Sequence, residues 1–343
     1  MIAKPKLAAW IACLAMAGSV RGDAATTPPS DNAAAHPGRW VSLPDGRRLN
    51  FRCSGRGAPT ILLESGFGAD SLAWFKVQPA LSARYRVCAY DRAGAGFSDP
   101  APAPRDGAAI VRDLDQGLRA ASIAGPFIVV GHSSGGLYAR LFADMRRRDV
   151  VGMVLVDPSL TYQDRRLAER FGPGAGSLRS LVDRSTRCLA AATAGTLPSD
   201  DPALKACVQA PGPDAAVNAA HAAQARKPGH WIDQISELDT LWTSTSDEVA
   251  KVAGFGDIPL IVLTAGDTYA SAPPAARVAV DEVWSGGHRE IAALSSRGRE
   301  ERVDHASHMM MLDRPDAIIG AVLEVARSVP AKPVSKPRAG TGR

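Results

Sequence analysis

The chain has 343 residues, enough for one large α/β domain with an inserted subdomain. Its 45% apolar and 6% aromatic content is that of a globular protein, and part of its formal charge of +5 sits in the last dozen positions, KPVSKPRAGTGR. Charge held in a tail is not a nucleic-acid footprint, and no zinc-finger spacing, P-loop or glycine-rich dinucleotide fingerprint occurs.

Lys4 and Lys6 precede Leu7 to Val20, an alanine-rich apolar run of signal-peptide length, too short to span a bilayer comfortably. Residues 1–24 are therefore expected to be a cleaved export signal. A retained anchor is the alternative, and Trp10 argues against a lipoprotein signal at Cys13. A flexible Pro/Thr/Ala-rich lead is expected over 25–37. Four cysteines then remain, Cys53, Cys88, Cys188 and Cys207, and an even count in an exported chain suggests disulfides, with three possible pairings. Four free thiols are the alternative. No CxxC or metal-ligand spacing is present.

The turn Pro44-Asp45-Gly46 leads into a strand over Arg48 to Cys53. Short apolar strands follow over Thr60 to Glu64, Tyr85 to Tyr90, Phe127 to Val130 and Val151 to Val156, with helices over Ala108 to Ser122 and Leu137 to Met145 between them. Nearly unbroken apolar strands alternating with helices predict a mostly parallel, doubly wound sheet covered on both faces. Residues 160–255 break the pattern. Helical pieces separated by GPGAG, LPSDDP, APGPD and RKPGH read as an inserted helical cap between core segments 38–159 and 256–329. The alternation resumes with a strand over Ile258 to Leu263, a helix around His288 to Ser295, a strand near Glu301 to Asp304 and a final helix from Pro315 to Ser328. Residues 330–343 are expected to be a disordered basic tail.

Gly131-His132-Ser133-Ser134-Gly135 follows the strand FIVV and opens a helix, the context that gives G-x-S-x-G its meaning. A tight strand-to-helix turn exposes the Ser133 hydroxyl, and the helix N-terminus behind it favours developing negative charge. Ser134 falls one position late, so its N–H is expected to serve as an oxyanion donor. The second donor is expected from the glycine-rich loop Ser65-Gly66-Phe67-Gly68, with Phe67 N–H the best candidate. His132 reads as a wall residue, since an adjacent position cannot aim its ring at the serine.

With these motifs, LESGFGADSLAW, VCAYDRAGAGFSD, VVGHSSGGLYARLFA, GMVLVDPS and DHASHMMMLDRPDAII, the chain resembles the α/β-hydrolase superfamily in its lipase-, esterase- and iminopeptidase-like branch. The resemblance covers roughly 40–160 and 255–328 and leaves the cap unassigned. It implies an α/β-hydrolase fold and a histidine in the loop after the last strand. His308 fits the spacing to Pro315, with His305 as its neighbour and no motif behind His36, His221, His230 or His288. The acid is left open. Many relatives place it three residues after a glycine beyond the next-to-last core strand, but that slot after Gly266 holds Tyr269. Asp267 could still reach, and Asp157 in LVDPS occupies a second position used in the family. Asp91 and Arg92 match a segment that ties loops at the site floor. The fold makes the strands of Cys53 and Cys88 neighbours, so these could pair, and Cys188 with Cys207 could staple the cap.

The resulting expectation is an exported serine hydrolase, free of cofactor and metal, that cleaves a small to medium apolar ester, or an amide, through an acyl-enzyme. Ser133 attacks and His308 carries the proton. Trp74, Trp231 and Trp242 are candidate wall residues. A proline-iminopeptidase-like aminopeptidase is the alternative, with Glu237, Asp239, Asp247 or Glu248 to hold a substrate ammonium. A non-catalytic binding protein is the other. Epoxide hydrolase and haloalkane dehalogenase activities are disfavoured, because those relatives use aspartate where Ser133 stands. The expected partner is a small molecule, with no nucleic acid and no stable membrane span once the signal is removed.

Overall fold

The structure is a computed structural model, and it describes residues 32–208, 214–270 and 272–329. The expected signal peptide, the first part of the lead and the basic tail lie outside the described residues. Eight strands form one sheet in the order β1-β2-β4-β3-β5-β6-β7-β8: β1 Arg39–Ser42, β2 Arg48–Ser54, β3 Thr60–Glu64, β4 Val87–Tyr90, β5 Phe127–His132, β6 Val150–Val156, β7 Leu260–Ala265 and β8 Gly298–Val303. Pairing is parallel from β4 through β8, and β1 and β2 run antiparallel at one edge.

The strand sequences explain the layering. β3, β4, β5 and β7 are buried at every position, as strands with both faces covered must be. Alternate residues point opposite ways. Leu62, Val129, Leu155 and Val262 pack toward α2 (Gly107–Ala120), α3 (Gly135–Met145) and Trp284 of α10 (Pro274–Ala292). Ile61, Val130, Val154 and Leu263 pack toward Trp74, α1 (Gln78–Ser82), α11 (Met310–Asp313) and α12 (Pro315–Ser328). Each fully buried Val, Leu or Ile contributes about 1.5–3 kcal/mol, so these two faces dominate the stability of the fold.

Between β6 and β7 the chain forms the cap helices α4 (Gln163–Phe171), α5 (Arg179–Thr193), α6 (Pro202–Val208), α7 (Ala215–Ala225), α8 (Pro228–Leu241) and α9 (Ser244–Val249). The cap has its own small core of Cys188, Ala191, Ala192, Leu197, Cys207, Ala225 and Trp231. Its root is polar. Thr245 Oγ1 accepts from Gly107 N (2.9 Å) and Glu248 Oε2 from Ala108 N (2.8 Å), satisfying orphan donors at the start of α2. Cys53 is bonded to Cys88 across β2 and β4, and Cys188 to Cys207 between α5 and α6.

Two expectations change. The lead does not stay loose to residue 37. Asn32–Ala35 form a 3-10 turn, and Arg52 donates to the carbonyls of Ala33 and Ala34 (both 3.1 Å) and to that of His36. The helix expected near His288 begins at Pro274 and ends at Ala292.

Candidate functional site

Ser133 sits on the turn from β5 into α3 with a left-handed backbone, φ 53°. Holding a serine there needs small neighbours. A Cβ on Gly131 would lie 2.5 Å from the Gly135 carbonyl oxygen, and one on Gly135 2.6 Å from the carbonyl oxygens of Glu64 and Ser65. The turn is pinned to the adjacent strand by Ser133 N donating to Val156 O (3.1 Å) and Ser159 N to Ser133 O (2.9 Å).

His308, in the loop after β8, bridges Ser133 and Asp157. Its Nε2 lies 3.0 Å from Ser133 Oγ and its Nδ1 2.7 Å from Asp157 Oδ2. A carboxylate only accepts, so Nδ1 carries the proton and Nε2 presents its lone pair to the serine hydroxyl. Asp157 ends β6, again left-handed (φ 43°) and fully buried. Its oxygens also accept from Thr268 Oγ1 (2.7 Å), Trp284 Nε1 (2.7 Å) and Ala265 N (3.0 Å). Burial alone would raise its pKa. The bond and charge from His308, with His288 and Trp284 behind it, outweigh burial and hold the group at about 2.

Asp267 is elsewhere. Its side chain is exposed and its backbone N–H donates to Ala306 O (2.8 Å), so the carboxylate at His308 belongs to Asp157. The loop after β7 contributes Thr268 in its place, while Tyr269, in the slot where many relatives keep the acid, is buried edge-on against Trp284. His305 is exposed.

Two further histidines, His132 in the nucleophile turn and His288 on α10, hold this arrangement. His132 Nε2 donates to the His308 carbonyl (2.8 Å), and burial, then the neighbouring His308, pushes its pKa down to about 3, so it stays neutral. His288 Nε2 donates to Pro158 O (2.9 Å), and its Nδ1 accepts from Thr264 Oγ1 (2.7 Å), fixing the residue after Asp157.

The oxyanion-loop candidates lie beside the nucleophile. Ser134 opens α3, and among the described residues neither its N–H nor that of Phe67 is spent on a backbone carbonyl. Arg92 supports the loop from below. Nη1 donates to Ser65 O (2.6 Å) and Glu64 Oε1 (2.8 Å), and Nη2 to Gly66 O (2.8 Å) and Glu237 Oε1 (3.2 Å). Tyr90 donates to Glu64 (2.6 Å) and Tyr138 to Glu237 (2.9 Å), closing a buried network. Burial works against the Arg92 charge, but Glu237 and Glu64 hold its pKa above the ordinary arginine value. Asp91 accepts from Ser71 N, Phe97 N and Asn50 Nδ2, each at 2.8 Å, tying three segments together.

The four acidic residues considered for a substrate ammonium do not converge. Glu237 is spent on Arg92 and Tyr138, Glu248 caps α2, Asp247 pairs with the Tyr162 hydroxyl at the surface, and Asp239 is exposed. Of the three tryptophans, Trp231 lines a cavity, whereas Trp74 and Trp242 are packed in the core. That cavity, of about 190 Å³, lies between the segment Gly68 to Phe75 and the cap helices α5 to α8. Gly68 and Met309 in its wall directly follow Phe67 and His308 in the chain, so the cavity borders the two loops that carry those residues, and Ser133 itself is not in the lining. Among the described residues no three His, Cys, Asp or Glu side chains could hold a metal ion, and no helix is long and apolar enough to cross a membrane.

Sequence comparison gives partial matches to curated proteins. One printed as "Probable transporter efuK" from Hormonema carpetanum is 40% identical over 36% of this chain and 19% of its own length. YqjL of Bacillus subtilis is 35% identical over 31% of this chain and 42% of its own. The chain thus spans less than half the length of these relatives. Solved structures cover more. The epoxide hydrolase CorEH aligns with TM-score 0.58 and 18% identity over 84% of this chain and 98% of its own. A thermophilic esterase from Thermogutta terrifontis gives TM-score 0.54 and 19% identity over 85% and 98%. These likenesses establish the fold. The model of the alpha/beta hydrolase family matches residues 61–321, and the chain belongs to that family.

Proposed function

We propose that the protein is an exported serine hydrolase that cleaves carboxylic esters through an acyl-enzyme. The observation that carries this reading is the His308 imidazole set between Ser133 Oγ at 3.0 Å and Asp157 at 2.7 Å. Ser133 Oγ attacks the ester carbonyl as its proton passes to His308 Nε2. The tetrahedral oxyanion takes the N–H groups of Phe67 and Ser134, and collapse expels the alcohol, which receives the proton from His308. Water then repeats the sequence on the acyl-enzyme. Asp157 keeps Nδ1 protonated and stabilises the imidazolium.

An ester is favoured over an aminopeptidase substrate because Glu237, the buried one of the four acidic candidates, already serves Arg92 and Tyr138. Export is supported by the two disulfides, which persist in oxidising compartments. A fluorophosphonate probe tests the reading. Wild type should label covalently and Ser133→Ala should not. Labelling that survives Ser133→Ala, or wild type that stays unlabelled and inert toward p-nitrophenyl esters, would overturn it.

A further inference from the structure

One cation in the wall of the cavity has no counter-ion among the described residues. Arg184 lies on α5, half-buried, and its Nε is buried without a hydrogen-bond partner. No carboxylate pairs with it among the described residues. The charge that acts on it is Arg187, one turn along the same helix, and residues 209–213, QAPGP, contain no acid. Of the other shielded arginines, Arg47 and Arg105 pair with Asp113 and Arg92 with Glu64 and Glu237, whereas Arg140 satisfies its donors on Gly136 O and Thr161 Oγ1 and Arg52 on backbone carbonyls. Arg184 Nε has not even such a partner.

The rest of the cavity does not supply the missing charge. Its one carboxylate, Asp70, is met by His221 Nε2 at 2.7 Å and by Leu72 N at 2.8 Å. The remaining wall is largely apolar, with Leu72, Phe75, Val208, Trp231, Met309 and Leu312. A guanidinium drawn out of water without an anion costs free energy that a carboxylate, matching its fork of donors, would offset.

We propose that the substrate bears a carboxylate at the end remote from its scissile bond, that Arg184 receives it, and that the apolar wall holds the chain between. This rests on the serine hydrolase reading, and deepens it to hemiesters of dicarboxylic acids or esters of hydroxy acids. The test compares two series on the full chain. On the acyl side, p-nitrophenyl hemiesters of glutaric, adipic and suberic acid are set against neutral p-nitrophenyl alkanoates of equal length. On the alcohol side, ω-carboxyalkyl acetates are set against alkyl acetates. A charged hydrogen-bonded contact of this kind predicts a charged-over-neutral ratio of kcat/KM of roughly ten- to a hundredfold in one series, carried by KM. Arg184→Gln should collapse that ratio and Arg184→Lys should restore part of it. In the Ser133→Ala background, Arg184→Gln should weaken binding of the preferred hemiester or carboxyalkyl ester by a similar factor. Wild type that hydrolyses neutral esters without charge preference in either series would overturn this inference alone. So would a preference that survives in a folded Arg184→Gln protein, checked by circular dichroism. Wild type that neither labels with fluorophosphonate nor hydrolyses any ester would remove the serine hydrolase reading as well.

Discussion

Four donors converge on the Asp157 carboxylate, from Ala265, Thr268, Trp284 and His308, all of them more than a hundred positions away in the chain. Replacing the acid by its amide removes the group that fixes the His308 tautomer. Asp157→Asn should lower kcat on a p-nitrophenyl ester by about ten-thousandfold, whereas Asp267→Asn should stay within a few-fold of wild type. The same carboxylate links stability to acid. Its folded pKa of about 2 lies below the unfolded value near 4, so its contribution is complete above about pH 4 and lost as pH falls through about 2. It amounts to about 2 to 3 kcal/mol. The difference in unfolding free energy between wild type and Asp157→Asn should therefore shrink between pH 4 and pH 2, which urea titrations at stepped pH would measure. The serine position can be read locally from a turn motif, and the histidine from the spacing to Pro315 that the family resemblance implies. The choice between Asp157 and Asp267 cannot, because it depends on which strand end faces the 308 loop and on where Trp284 of a distant helix delivers its N–H.

At the level of elements, Arg92 ties the loop after β3 to a cap helix through one guanidinium. Arg92→Met would leave Glu64 buried without its charge partner and should cost about 3 to 5 kcal/mol of stability by urea unfolding. It should also slow fluorophosphonate labelling of the folded protein more than tenfold, because the Ser65 and Gly66 carbonyls lose the donors that set the Phe67 N–H. The segment YDRAGAGFSD signals a loop-tying role for Arg92, but its partners stay hidden in sequence. Glu64 looks like the polar end of an apolar strand, and Glu237 like a solvated helix face, until the cap folds over the core. α10 is under-read for a related reason. The pair Gly286-Gly287 dilutes helix propensity, yet a Cβ at Gly287 would lie 2.5 Å from the Leu160 side chain, so the helix keeps that glycine for close packing.

Across the whole molecule, the sheet is legible because its strands are apolar, short and evenly alternated with helices, and the cap only as a helical interruption, since its helix arrangement depends on a small separate core and a disulfide. The closed loops of the two bridges, with sequence separations of 19 and 35 residues, correspond to about 3 and about 4 kcal/mol of unfolded-state constraint. Cys207 also lines the cavity. The double variant Cys188→Ser, Cys207→Ser should therefore raise KM for long-chain esters while lowering the melting temperature, and a thermal melt beside a chain-length series would separate the two effects. The outermost strand β8 has a further consequence. It carries Arg299, Glu300, Glu301 and Arg302 in a row at the open rim of the sheet, where unpaired backbone amides could otherwise template a neighbour. A second molecule sliding alongside would have to strip water from that quartet, so the border acts as a fender against stacking into fibrils at high concentration. Exchanging the four for threonine and valine should leave hydrolysis per molecule intact yet make concentrated solutions turn cloudy, a cost that light scattering would register before any assay of turnover did.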